Sequence, residues 1–569
     1  MEERRPNKRK RTTLACDACR ARRTKCDSQK PSCRYCQTHG LDCLYQEAPA
    51  EPPSRVEAEL NGVNKRLDQL ISLMLPAEPI SLDVRDGDRN PPTEYRALAD
   101  QESSPFDLPS KLLGNSSVMH ALGLDADFAQ VLTRGERATG FEGHVNAGTR
   151  MLIVHHRHSV RALAAFSARV HTWYPIFPSG FTEEYFRVLS GPLHPSSESC
   201  LSLLVAALGH LVAEDEESLD IPYFQTALTS LPIIIAECSI RSVQCLMLIS
   251  LYYCCLLKPY QAHDYCLIAS SKIQNLIKSG LEGDDLNAVE QSRRAYWGAL
   301  LLENEIGGQL DVANSGIWCL DEHVPLPVCH ETWQFTPEST SPEIAAPDSP
   351  DFAPSTNASV KNMQSYFLAE IAMRRMLHRC NTAVQVTSAG KYVYAPGIAL
   401  ELERQLEEWY CCLPEMDRFG KGDVLQPLEP VDLLSCPLSN FLRVQYYCCK
   451  LSIYWPAVYQ AMQDGAATNL LLDHCRRFLD SYVMLIPSII AAFNDCRVNR
   501  WTLFISLFIT SVAAMTAANT PCLSALCSPQ LYQRIQASGR AEQTILRKSP
   551  SLMLLQGVLE ERLLESGFV

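Results

Sequence analysis

Strand-type alternation of apolar and polar residues is nearly missing from this sequence, so its 46% hydrophobic residues must be buried by helices. No P-loop, G-x-S-x-G, H-E-x-x-H or dinucleotide-binding glycine fingerprint occurs in its 569 residues. The commonest phosphate, acyl-transfer, zinc-protease and nicotinamide chemistries therefore have no local signature, and no enzyme is expected. The N-terminus offers charge and proline in place of an apolar core of signal-peptide type, which predicts no secretory signal and a reducing compartment. No long internal repeat appears outside one cysteine array. Only the apolar run Trp501–Ala518 raises a membrane question. Its scattered Ser/Thr, small residues and sparse basic flank (Arg497 and Arg500) predict a buried core helix, so no membrane partner is expected.

Charge is present but unevenly placed. The formal net charge is −13. Residues 1–43 hold twelve Lys/Arg against five acids, a net +7, which leaves −20 for the remainder. A small basic head on a large acidic body predicts a polyanion partner for the head alone.

Cysteine is plentiful, at 24 residues. Six form a doubled array: Cys16, Cys19 and Cys26 are spaced C-x2-C-x6-C, and Cys33, Cys36 and Cys43 repeat that spacing 17 residues later. Zinc prefers four thiolates in a tetrahedron. Six thiolates cannot serve two separate sites, but with two of them bridging they make the eight bonds that two metals need. A thioredoxin-type C-x-x-C would want a surrounding βαβ pattern, which is missing. Disulfides would want an oxidising compartment, and a single four-cysteine site would leave two matched cysteines without a role. The array therefore predicts a binuclear cluster of two Zn2+ per chain. The remaining cysteines, including the adjacent pairs Cys254-Cys255, Cys411-Cys412 and Cys448-Cys449, sit mostly in aliphatic runs and are expected to behave as small buried hydrophobes, redox sensing being the other reading.

The run from Cys16-Asp17-Ala18-Cys19-Arg20 through Arg22-Arg23-Thr24-Lys25-Cys26, followed by Lys30-Pro31-Ser32-Cys33-Arg34-Tyr35-Cys36 and Cys43, closely resembles the fungal Zn(2)-C6 binuclear-cluster transcription factors. The resemblance implies that Cys16 and Cys33 bridge the metals. It also implies a short helix from Asp17 that enters the major groove of double-stranded DNA at a CGG-type half-site. By motif position, Arg22 and Arg23 would meet base edges, and Arg20 and Lys25 would meet phosphates. Arginine does read guanine bidentately, and such modules dock a helix in this way. The family usually has Lys where this chain has Arg23, which bears on the half-site sequence. Family membership further implies a nuclear transcription regulator acting on RNA polymerase II genes through the transcription machinery, expected to be an activator by its acidic-aromatic stretches 100–109 and 335–353. A repressor with the same head, or a ligand-sensing regulator, is the alternative. A metabolic or secondary-metabolite gene set is the expected target.

Around that head the organisation is as follows. Residues 1–15 are expected to form a basic disordered arm whose run Lys8-Arg9-Lys10-Arg11 directs nuclear import, a phosphate-gripping arm or a solvated tail being the other readings. Residues 16–43 are the DNA-binding domain and 44–55 a Pro-rich linker. Over 56–75, Val56, Leu60, Val63, Leu67, Leu70 and Met74 recur at alternating gaps of four and three, the a/d spacing of a short coiled coil. This predicts a homodimer, an ordinary amphipathic helix being the other reading. Residues 76–115 read as a disordered linker, and 116–569 as a large all-helical regulatory domain with a disordered insertion at 331–360. Helical patterns stand out at Ser242–Leu257, Ser292–Ile306, Ile398–Leu413, Asn440–Ala461 and Trp501–Ala518.

The body also resembles the central homology region of the same family. The resemblance rests on Val170–Phe177, Val243-Gln244, Arg293–Trp297 with Leu300–Glu303, Asp321–Pro327 and Leu406–Trp409. Arg293 and Arg294 are expected as surface or helix-end partners for acids, and Trp297 in the core. Asn304, where the family usually has a basic residue, predicts the loss of a salt bridge between helices. His155, His156 and His158 are expected on a solvated face, metal binding or pH sensing being the other reading.

Overall fold

The computed structural model of the chain describes residues 15–44, 116–138, 152, 154–213, 219–280, 285–308, 312–328, 332–336, 356–379, 383–386, 392–421, 436–540 and 543–567. They fall in two compact units, one within 1–92 and the other within 93–569. The basic arm Lys8–Arg11, most of the 44–55 linker, the zipper positions Val56–Met74 and the 76–115 linker lie outside the described residues.

The second unit is all-α. Its described strands are one short antiparallel pair, Val384–Val386 with Tyr392–Tyr394. The five helical patterns of the body all fall on helices, Ile240–Cys255, Leu286–Gly307, Pro396–Cys412, Pro437–Asp464 and Arg500–Asn519, and polar caps open two of them. Ser239 opens the helix Ile240–Cys255 with a reciprocal capping box to Ser242. Asp285 opens Leu286–Gly307 by accepting from the Asn287 amide at 3.0 Å. Successive helices pack as antiparallel hairpins, Ile240–Cys255 on Pro259–Ser279 and Pro437–Asp464 on Asn469–Asp495. The helices His156–Phe166 and Ser197–Ala213 cross so closely at Gly209 that a Cβ there would meet the Ala162 carbonyl oxygen at 2.0 Å. Only glycine permits that crossing. Helix Arg500–Asn519 has 89% of its most apolar window buried among the other helices, the environment of a core helix.

The five separate motifs of the body are pieces of a polar frame within that core. The carbonyls of Ile176 and Phe177 accept from Gln244 Nε2 at 3.0 Å and Arg294 Nη1 at 3.2 Å. The Phe177 amide donates to His171 Nε2 at 3.1 Å. Burial, with Arg294 nearby, lowers His171 to about 3 and keeps it a neutral acceptor. Trp297 is buried and donates to the Pro325 carbonyl at 3.0 Å, and Trp409 donates to Ala369 at 3.2 Å. Gln244, Arg294 and Trp297 thus satisfy carbonyls of other motifs, and Trp409 one of the helix Thr356–Arg379, as buried backbone requires.

Several expectations are corrected by tertiary packing. Arg294 is buried, held by Glu290 on its own helix and by Phe177. Helix linkage is retained beside Asn304: Arg374 pairs with Glu305 and Glu370, and Asn304 itself accepts from Arg374 Nη1 at 3.4 Å. The disorder expected across 331–360 does not hold at the described residues of that range. Trp333 is buried and donates to Thr182 at 2.8 Å, the Phe335 amide donates to Ser167 at 2.9 Å, and a helix begins at Thr356. Cys411 and Cys412 are exposed, unlike Cys254 and Cys449. His155 and His156 are exposed, but the half-buried His158 ring lies 6.2 Å from buried His210.

Candidate metal centre and nucleic-acid interface

The first unit has almost no apolar core of its own. Cys16, Cys19, Cys33 and Cys36 are themselves its buried centre, with Ala18, Tyr35 and Leu41 packed around them. Something other than hydrophobic burial must hold so small a module.

Cysteine sulfur spacing says what that is. Cys16 Sγ lies 3.7 Å from Cys33, 3.6 Å from Cys36 and 3.9 Å from Cys26, and Cys19 lies 3.6 Å from Cys33. A zinc tetrahedron with Zn–S of about 2.3 Å has edges of about 3.8 Å. The six sulfurs group as two tetrads, Cys16, Cys19, Cys26, Cys33 and Cys16, Cys33, Cys36, Cys43. The shared pair is Cys16 and Cys33, so six ligands supply eight bonds. The donor set fits two zinc ions.

Backbone amides are aimed at the sulfurs that would carry the charge. Ser28 N donates to Cys26 at 3.4 Å, Cys33 N to Cys43 at 3.2 Å and Cys36 N to Cys33 at 3.4 Å. The amide of Cys33 lowers the Cys43 thiol to about 7. Burial acts the other way on Cys16, Cys19 and Cys36, raising their thiols. Zinc must displace those protons as it binds, which couples metal uptake to folding.

The two halves of the array share one backbone design. Helix Asp17–Ala21 ends as Thr24 N donates to Cys19 O at 3.1 Å, and helix Arg34–His39 ends as Leu41 N donates to Cys36 O at 2.9 Å. Each turn has a left-handed residue at the same place: Arg23 at φ 53° and Gly40 at φ 56°. This is the six-residue closure that commonly ends helices at glycine. The halves are tied together by Asp27, which accepts from the Arg34 amide at 3.1 Å.

Arg22, Arg23 and Lys25 are exposed. The first helix stops at Ala21, so Arg22 and Arg23 belong to the turn that closes it and not to the helix. The Arg20 side chain lies outside the described set. Seventeen residues on, the matching positions are His39, Gly40 and Asp42, so the three exposed cations that follow the first helix are not repeated after the second, although Arg34 at the start of that helix is exposed. The left-handed strain at Arg23 was invisible in the sequence. The 17-residue offset aligning it with Gly40 was the signal that could have shown it.

Residues 14–52 match the fungal Zn(2)-Cys(6) binuclear cluster domain. The ecdB protein of Aspergillus rugulosus, named as a transcription factor, is 46% identical over 574 aligned positions covering 98% of this chain and 99% of its own. Two other transcription factors match over short stretches. FBD3 of Gibberella moniliformis is 55% identical over 40 residues, 7% of this chain and 5% of its own. The Zn(2)-C6 fungal-type factor afumD of Aspergillus fumigatus is 47% identical over 49 residues, 8% of this chain and 13% of its own. No solved structure matches at significance.

Proposed function

The chain belongs to the fungal Zn(2)-Cys(6) binuclear cluster transcription factors, DNA-binding regulators that hold two zinc ions on six cysteines, and we propose that it is a nuclear activator that reads paired CGG-like half-sites as a homodimer. The observation that carries the DNA reading is the asymmetry of the zinc module. Both halves supply metal ligands, but only the first presents Arg22, Arg23 and Lys25 to solvent. Arg22 and Arg23 meet guanine edges, where a bidentate guanidinium distinguishes the base. Lys25 and Arg20 meet phosphates and set affinity without choosing sequence. The run Lys8-Arg9-Lys10-Arg11 directs import into the nucleus.

Dimerisation rests on the seam Val56, Leu60, Val63, Leu67, Leu70 and Met74. One head covers about one half-site, too little for specificity among a genome of competitors. Joining two heads makes the second contact intramolecular and raises avidity by about 100-fold or more. Three prolines between Cys43 and Val56 stiffen the connection and narrow the tolerated half-site spacing. The experiment replaces Leu67 and Leu70 with Glu in the full-length chain and compares paired with single half-sites. Loss of the preference for paired sites, with single-site binding intact, is the expected result. A double mutant that still favours paired sites assigns dimerisation elsewhere.

Activation is supported by family membership and by the acidic-aromatic stretch 100–109. Fused to a foreign DNA-binding domain, that stretch should raise reporter output, whereas a fall favours repression. The targets are taken to be one metabolic or secondary-metabolite gene set, and genome-wide mapping of bound sites tests this.

A further inference from the structure

Within the body, a small cavity has walls suited to a cation. Trp173 and Tyr174 close one side, Tyr366 of the helix Thr356–Arg379 another, and Phe441 of the helix Pro437–Asp464 a third. Trp173 meets Tyr366 and Phe441 edge to face, at centroid separations of 5.5 and 5.4 Å. The free volume is about 10 Å³, room for one water-sized occupant.

The charge around that space does not balance. Glu305 and Glu370 line it together with a single counterion, Arg374. Arg374 Nε donates to Glu370 Oε1 at 2.8 Å, and its Nη2 pairs with Glu305. The other Glu305 oxygen accepts from the Thr502 hydroxyl. That leaves Glu370 Oε2 buried with no partner, on a side chain only 4% exposed. Two carboxylates against one guanidinium leave a negative charge that either a proton on Glu370 or a bound cation must offset. Burial correspondingly pushes the Glu370 carboxyl up, with Arg374 pulling it down.

We propose that this cavity binds a small ammonium ion between Glu370, the two tyrosine hydroxyls and the surrounding aromatic rings. A water could satisfy the orphan oxygen, but it would leave the charge. Potassium has the right size and charge, but it wants a shell of many oxygens such as a ring of carbonyls. One oxygen lining the space, Glu370 Oε2, is buried without a partner, and Tyr174 and Tyr366 of the same lining would bring two hydroxyls to a bound ion. Ammonium has four N–H donors, enough for those three and one aromatic face, and aromatic walls attract a cation of this kind. The bound ion joins the helix Thr356–Arg379 to the Trp173-Tyr174 segment, so ammonium concentration becomes coupled to the stability of the regulatory body.

The test is thermal unfolding of the full-length, zinc-loaded chain in NH4Cl, KCl and NaCl at equal ionic strength. The midpoint is expected to rise along a saturable curve in NH4Cl and to stay level in KCl and NaCl. Glu370→Gln keeps the side-chain shape and should abolish the NH4Cl dependence. Tyr366→Phe removes only a hydroxyl, and should raise the half-saturating NH4Cl concentration severalfold; it carries the test should Glu370→Gln not fold. Identical behaviour in all three salts overturns the proposal. So does an equal response to potassium, or an ammonium response that survives the substitutions.

Discussion

Each cysteine in the first half of the zinc module has its counterpart 17 residues later, and the helix, the closing turn and the left-handed residue repeat with it. The side chains on that shared backbone do not repeat. Where the first half has Arg20, Arg22, Arg23 and Lys25, the second has Gln37, His39, Gly40 and Asp42. Metal binding constrains both halves alike, because each zinc draws ligands from both through Cys16 and Cys33. DNA binding, in the proposed reading, constrains one. Arg23 marks the division: it occupies, at φ 53°, a position the second half gives to glycine at φ 56°. A left-handed non-glycine residue costs about 1 kcal/mol, a cost the second half avoids.

Breaking the shared part should have the largest effect. Cys16→Ala removes a ligand common to both tetrads, so native mass spectrometry should find neither zinc retained and the module unfolded. Cys26→Ala touches one tetrad and should leave one zinc bound. Structural zinc contributes about 10–16 kcal/mol in small modules, far more than any other interaction available here.

Breaking the unshared part should spare the metal. Arg23→Ala should keep two zinc ions and lose about 1–3 kcal/mol of binding at the cognate guanine, with little change on sites already lacking that base. Competition binding across a panel of single-base variants separates these. Lys25→Ala should weaken all sequences alike and lower the slope of log affinity against log salt by about one. If both mutants weaken every site equally, the division into base and phosphate contacts is wrong.

The smallest effects sharpen the comparison of the two turns. Gly40→Ala places a Cβ in a left-handed turn that has open space around it, so strain is the only cost. It should destabilise the metal-loaded module by about 1 kcal/mol and leave DNA affinity unchanged. Arg23→Gly should stabilise it by a similar amount while losing the base contact. Chelator-driven unfolding and DNA titration of the same samples read both effects.

The metal ligands were legible in the sequence because zinc chemistry fixes their number, type and local spacing. The long helices were legible because an apolar face repeats with the helical turn over many residues. Partners distant in the chain were not. Arg294 looked like a surface residue because its acceptor, the Phe177 carbonyl, lies 117 positions away. Asn304 suggested a lost bridge because the replacement cation, Arg374, arrives from another helix. Trp333 sits in a stretch whose proline-rich composition predicts disorder and masks a single anchoring indole. Cys411 and Cys412 were read as core from their aliphatic context, although they sit exposed where the helix Pro396–Cys412 ends.

The claim that both halves hold metal and one half reads DNA is tested most directly by two matched variants of the full-length chain. One carries Arg22→Ala, Arg23→Ala and Lys25→Ala. The other carries Arg34→Ala and His39→Ala, exposed positions of the second half. Zinc content and affinity for a paired half-site are measured on each. Two zinc ions in both, with affinity falling by about 100-fold or more in the first variant and by less than about tenfold in the second, is the expected result. Comparable losses of DNA affinity in the two variants would contradict the account.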